Sequence, residues 1–176
     1  EPWLLFAPVK RTALDFIAAK ATELGAGVLW PVITENTAVR RVNTDRIRSH
    51  AIEAAEQCGR ITVPEVREPE PLARVLERWP LARRILLCDE SGGGVPLAEA
   101  LGQDGVKDIG AKDGGPWAVL TGPEGGFAES ELDGLRKLPF VTVAGLGPRL
   151  LRADTAALSA LACWQALVGD WRRPLS

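Results

Sequence analysis

Three short apolar runs in the second half of the chain, each closed by a glycine-bearing turn, restrict its fold more than any other feature. They are Ile85-Leu86-Leu87-Cys88, Trp117-Ala118-Val119-Leu120-Thr121 and Phe140-Val141-Thr142-Val143-Ala144. None is a clean alternation of apolar and polar residues, so each reads as a strand covered on both faces. A segment of helical character follows each run: Pro96 to Leu101, Glu129 to Leu138, and Asp154 to about Val168. Buried strands separated by helices predict an α/β fold, a mostly parallel sheet with helices on both faces.

The first half fits the same plan. Thr12 and Asp15 resemble a capping box with Asp in place of Glu, and Leu14, Ile17, Ala21 and Leu24 recur at helical spacing before Gly25. Val28 to Ile33 reads as a buried strand. A second helix starts at Asn43 or Thr44, buries Ile47, Ala51, Ala54 and Cys58, and stops at Gly59. Ile61 to Val66 is a strand candidate that Pro64 assigns to a sheet edge. Pro71 to Trp79 is a short helix closed by Pro80, and Gly102 to Gly115 reads as a flexible surface loop. No repeat or domain-scale linker interrupts residues 1–176, which therefore form one domain.

Composition removes several classes. The apolar and charged fractions, 46% and 25%, are those of a globular protein rather than a disordered chain. No apolar run approaches the roughly 18 residues of a membrane span. Glu1-Pro2-Trp3 lacks the basic start and cleavage site of a signal peptide, so a cytoplasmic location is expected. Cys58, Cys88 and Cys163 are odd in number and far apart, and His50 is the only histidine. That combination predicts reduced thiols and no metal site. A net charge of −2 argues against nucleic-acid binding by bulk charge alone. The chain has no methionine, which suggests a piece of a longer protein.

Two motifs carry candidate chemistry. Thr121-Gly122-Pro123-Glu124-Gly125-Gly126 ends a strand, where open α/β sheets bind ligands. Either the glycines let backbone approach a ligand, or they form a tight turn before a helix. The pattern is neither the dinucleotide-binding G-x-G-x-x-G nor a P-loop, and Gly92-Gly93-Gly94 reads as a solvent loop. The second motif is Leu146-Gly147-Pro148-Arg149-Leu150-Leu151-Arg152-Ala153-Asp154-Thr155-Ala156-Ala157. Asp154 is placed to cap the following helix, which is apolar almost all round and belongs in the core or against another subunit. Arg149 and Arg152 fit three roles: binding phosphate, stabilising a developing anion, or pairing with Asp154 and Glu124. His50 is either a base or, as its mid-helix place away from the motifs favours, a surface histidine.

Together with Lys20-Ala21-Thr22-Glu23-Leu24-Gly25 and Glu53-Ala54-Ala55-Glu56-Gln57-Cys58-Gly59-Arg60, these motifs resemble the signature of the small-subunit ribosomal RNA uridine-N3 methyltransferases. Those are the E-type enzymes of the SPOUT superfamily. The four blocks occur in the family's order and span Lys20 to Ala157. The resemblance implies a C-terminal deep trefoil knot, rare among chain topologies, and S-adenosylmethionine as cofactor. It implies cofactor contacts at the strand end near Leu87, at Thr121, Gly122, Pro123, Glu124, Gly125 and Gly126, and at Leu146, Gly147, Leu150, Leu151, Arg152, Thr155 and Ala156. It also implies a homodimer with the active site at its interface, no metal, and small-subunit ribosomal RNA as partner. Asp154 departs from the Glu common in the family, and the family's N-terminal RNA-binding β-barrel does not precede Trp3.

Uracil N3 carries a weakly acidic proton, so methylation there needs a stabilised imide anion. Arg152 is the candidate for that role, with Arg149 second, and Glu124 either acts as base or orients an arginine. The base must be presented unpaired or flipped out. Lys20, Glu23, Gln57 and Arg60 either line the RNA side or are plain helix surface. Two other readings stay open: a SPOUT enzyme acting on ribose 2′-oxygen or transfer-RNA guanine, and a non-catalytic dimeric RNA-binding module.

Overall fold

The computed structural model describes residues 1–102 and 115–172. Its strands are β1 (Trp3–Phe6), β2 (Val28–Ile33), β3 (Glu65–Val66), β4 (Glu70–Pro71), β5 (Arg84–Cys88), β6 (Val95–Pro96), β7 (Trp117–Thr121) and β8 (Val141–Gly145). Six α-helices join them: α1 (Arg11–Glu23), α2 (Thr44–Cys58), α3 (Leu72–Glu77), α4 (Leu97–Gly102), α5 (Glu129–Arg136) and α6 (Ala153–Leu167). Among the described residues every strand pairing is parallel, in the order β3-β2-β1-β7-β5-β8-β6, with β4 beside β2.

The period of two along each strand sorts side chains into two cores. Leu4, Phe6, Leu29, Leu86, Cys88, Trp117 and Val119 pack with α1, α2, α4 and α6. Leu5, Val28, Trp30, Ile85, Leu87, Ala118 and Leu120 pack with α3 and α5. Both faces are thus covered, which is why the runs show no polar alternation. Order along the sheet is more informative than order along the chain. β5 lies between β7 and β8, both of which follow it in sequence.

Several local expectations need correction. Thr12 does not cap α1. The cap position is Lys10, which makes no side-chain bond, and Asp15 instead accepts two hydrogen bonds from the Arg46 guanidinium, at 2.7 and 2.6 Å. That pair bolts α1 to α2. Asn43 does cap α2, accepting from the Arg46 amide, and the helix stops at Gly59 with φ +71°. Cys58 is exposed: it continues the spacing of Ala51, Ala54 and Ala55 but is the last residue of α2, next to Gly59. The strand expected over Ile61 to Val66 shrinks to Glu65–Val66, with Ile61 fully exposed. Gly102 ends α4 rather than opening a loop; the expected loop otherwise lies at residues 103–114, outside the described residues. Asp154 sits inside the first turn of α6, whose cap position is Arg152.

Candidate functional site

Parallel pairing brings the carboxyl ends of β5, β7 and β8 to one edge, with Cys88 in register with Thr121 and with Ala144. The chain turns away there three times, at 89–94, 122–128 and 146–152. These turns enclose a cavity of about 340 Å³, inside the range of small-molecule sites, roughly 300–1,000 Å³. The first turn contributes Cys88, Asp89, Glu90, Ser91 and Gly92; the second Thr121, Gly122 and Phe127; the third Gly145 to Leu151, with Ala153 and Ala156 from the start of α6.

The first turn is held by a buried carboxylate. Asp89 Oδ2 accepts from Arg136 Nη2 at 2.7 Å, while Oδ1 accepts from the Ser91 amide at 2.8 Å and its hydroxyl at 2.6 Å. Burial alone raises the pKa of this carboxyl. The bonds from Ser91 and Arg136 outweigh it, so the group lies below the usual carboxylate range. Gly94 then passes so close to β8 that an added Cβ would lie 2.7 to 2.9 Å from the backbone of Ala144. Gly92 and Gly93 are exposed, as a solvent loop would be, but Gly94 is half-buried and seats β6 on β8, and Gly92 also lines the cavity. Cys88 is buried at the cavity floor, and burial, with Cys163 nearby, pushes its thiol up to about 12.

The second turn is braced from outside. Asn36 Nδ2 donates to the Gly126 carbonyl at 3.2 Å and to the Gly125 carbonyl at 3.5 Å. Glu131 accepts from the amides of Glu35 and Ala128 at 2.9 and 3.2 Å. The loop after β2 thus holds the turn after β7. An added Cβ on Gly122 would lie 2.9 Å from the Phe127 ring, so glycine there lets the ring fold against the turn and line the cavity.

Of the expected cofactor contacts, Thr121, Gly122, Leu146, Gly147, Leu150, Leu151 and Ala156 line the cavity, and so does Arg149. Leu87 does not, because strand alternation turns it into the core beneath α3 and α5; Cys88 and Asp89 take its place. Pro123, Glu124, Gly125, Gly126, Arg152 and Thr155 fall outside the lining set. Arg149, Arg152 and Glu124 are exposed and make no ion pair among the described residues. The pairing of the arginines with Asp154 and Glu124 is therefore not formed. Asp154 Oδ1 instead accepts from the Thr155 amide at 2.7 Å.

Lys20, Glu23, Gln57 and Arg60 stand apart from this edge. They lie at the C-terminal ends of α1 and α2, and those helices run back towards the starts of the strands. Arg60 Nη1 donates to the carbonyls of Thr22 and Ala26, and Nη2 meets Glu1 at 2.7 Å, which joins the end of α1 to the start of β1. Lys20 pairs with Glu23 at 2.7 Å, and Gln57 is exposed. His50 faces Asp15 and Glu53 across α1 and α2. No cluster of three or more potential metal ligands occurs among the described residues. Asp89, Glu90, Asn36 and Arg136 went unassigned in the sequence. The one available signal was the acidic pair closing the Ile85 to Cys88 run.

The model of the RNA methyltransferase domain matches residues 1–165. The ribosomal RNA small subunit methyltransferase E of Bacillus subtilis (strain 168) is 32% identical over 161 residues, covering 86% of this chain and 60% of the relative. The crystal structure of a ribosomal RNA small subunit methyltransferase E from Neisseria gonorrhoeae, bound to S-adenosyl methionine, matches with a TM-score of 0.77. It is 28% identical and covers 95% of this chain and 66% of that one. The SpoU methyltransferase AviRb from Streptomyces viridochromogenes shares the fold alone, with a TM-score of 0.53, 18% identity, and coverage of 93% and 58%. The chain spans about three fifths of the length of the curated relatives it matches.

Proposed function

This chain belongs to the RNA methyltransferase domain family, and on that premise we propose that it methylates N3 of a uridine in small-subunit ribosomal RNA, using S-adenosylmethionine bound in the cavity at the ends of β5, β7 and β8. The observation that carries this reading is the meeting of three turns, distant in sequence, around one pocket of small-molecule size. The residues present suit such a ligand. Phe127, Leu146, Leu151 and Ala156 offer apolar surface for an adenine ring, and the main chain of all three turns offers polar groups along the walls. Thr121, Gly122, Leu146, Gly147 and Leu150 are the remaining holding residues in this reading. The cofactor supplies an electrophilic methyl group when bound.

The protein's part is to place the base and steady the charge that develops on it. Arg149 at the cavity rim, and Arg152 just beyond it, carry guanidinium groups without carboxylate partners among the described residues, so their charge is available to a uracil anion. Arg152 is assigned that role and Arg149 assists it. Glu124 stands on the neighbouring turn, where it takes the N3 proton or orients an arginine. The decisive experiment offers labelled S-adenosylmethionine and the full-length protein to unmodified small-subunit RNA or particles. Label on uracil N3 is the expected result. Label on ribose or on guanine would assign the chain to another SPOUT activity, and no donor binding by calorimetry would favour a non-catalytic RNA-binding module.

Three further assignments belong to this reading. The C-terminal segment passes through a loop to form a deep trefoil knot, supported by the placement of β8 beside β5 rather than beside β7. Two copies form a homodimer that completes the active site; the apolar residues that α6 leaves partly exposed, such as Leu158 and Leu167, support it. The enzyme works in the cytoplasm, on ribosomal RNA.

A further inference from the structure

The charged residues lining the cavity are Asp89, Glu90 and Arg149, and they are not equivalent. Asp89 is neutralised by Arg136 and saturated by Ser91. Glu90 has no hydrogen bond or ion pair among the described residues, yet its position is restricted. Its carboxylate rests against Gly126, in the space that a Cβ there would fill. The residue is otherwise exposed to solvent and lines the same cavity as Thr121 and Gly122. Burial and the adjacent Asp89 raise its pKa, as befits an anion without a counter-ion, and a cationic ligand would relieve that cost.

We propose that Glu90 is the residue by which this site tells the methyl donor from its demethylated product: the carboxylate favours the positive sulfonium over the neutral thioether. The inference rests on the reading of the cavity as a donor site. The two ligands share their adenosine and amino-acid portions, so any contact of Arg149 with the common carboxylate cancels in the ratio of their affinities. What remains is the charge at sulfur. A partly exposed carboxylate a few ångströms from a unit charge changes that ratio by about three- to ten-fold. The preference lets the product leave while the donor stays.

Calorimetric titration of the 176-residue chain and of Glu90→Gln tests this. The ligands are S-adenosylmethionine, S-adenosylhomocysteine and sinefungin, which carries an ammonium in place of the methylsulfonium. The substitution is expected to weaken both cationic ligands by about three- to ten-fold and to change S-adenosylhomocysteine affinity by less than about two-fold. Equal losses for all three would overturn the proposal, since Glu90 would then be accepting hydrogen bonds from neutral groups common to them; so would an unchanged ratio. If Glu90→Gln does not fold, Glu90→Asp is the variant to use. It should keep a smaller preference for the cations, and a preference for S-adenosylhomocysteine would reject the idea. Failure of the unaltered chain to bind any of the three would remove the donor-site reading as well, a result distinct from the others.

Discussion

Asp89 joins the turn after β5 to α5 through a single carboxylate, so its loss is felt in both. Asp89→Asn should lower unfolding free energy at neutral pH by about 1–3 kcal/mol, as expected for losing charge-assisted bonds at a buried group. The sign with pH follows from the direction of its shift. Its folded pKa lies below the unfolded value of about 3.9, so its contribution is complete above that value and disappears as pH falls through the folded pKa. Urea midpoints of the two proteins should therefore differ at pH 7 and draw together as pH falls below the unfolded value. The thiols give a second residue-scale outcome. Exposed Cys58 should react with a maleimide within minutes at pH 7, whereas Cys88, buried and pushed up to about 12, should react only on unfolding. Under the proposed function, Arg152→Ala should cut turnover about 100- to 1,000-fold with little change in donor affinity. A parallel loss of binding would remove Arg152 from the anion-stabilising role.

At the scale of elements, two glycines with opposite surroundings make a controlled comparison. A methyl on Gly94 would meet Ala144 backbone, which cannot yield without lifting β6 off β8. Gly94→Ala should destabilise the fold by about 1–3 kcal/mol and weaken donor binding. Gly134 lies within α5 with open space around it, so Gly134→Ala should stabilise by about 0.5–1 kcal/mol. Denaturant curves of the two variants check both signs. The strands that were legible in sequence are those buried on both faces: Val28–Ile33 and Trp117–Thr121 occur with the expected bounds. At the edge the pattern misled, since β3 has a single neighbour and Ile61 packs on nothing. The two glycine-bearing motifs at strand ends marked most of the cavity. The braces stayed hidden because Arg136 reaches Asp89 across 47 positions and Asn36 reaches Gly126 across 90. Such contacts leave no periodicity to read, and glycines chosen for close approach look the same as glycines in a solvent turn.

For the molecule as a whole, the proposed function would couple ligand binding to the integrity of the sheet, because the cavity walls come from three turns rather than from one loop. Saturation with S-adenosylmethionine at about 100 times its Kd should stabilise the fold by roughly 2.7 kcal/mol, seen as a rise in Tm that Gly94→Ala diminishes. The seating of β5 between two strands that come after it has a further consequence for the growing polypeptide. As the ribosome extends the chain, β1 and β2 can pair early, but β5 waits for one neighbour from residues 117–121 and the other from 141–145. The last wall of the pocket emerges with Leu151 and Ala156, so a nascent chain halted before them has nowhere to hold the small molecule. Metabolite supply therefore has no means of guiding the earlier stages of folding; it can only select chains in which residues 146–156 have already emerged.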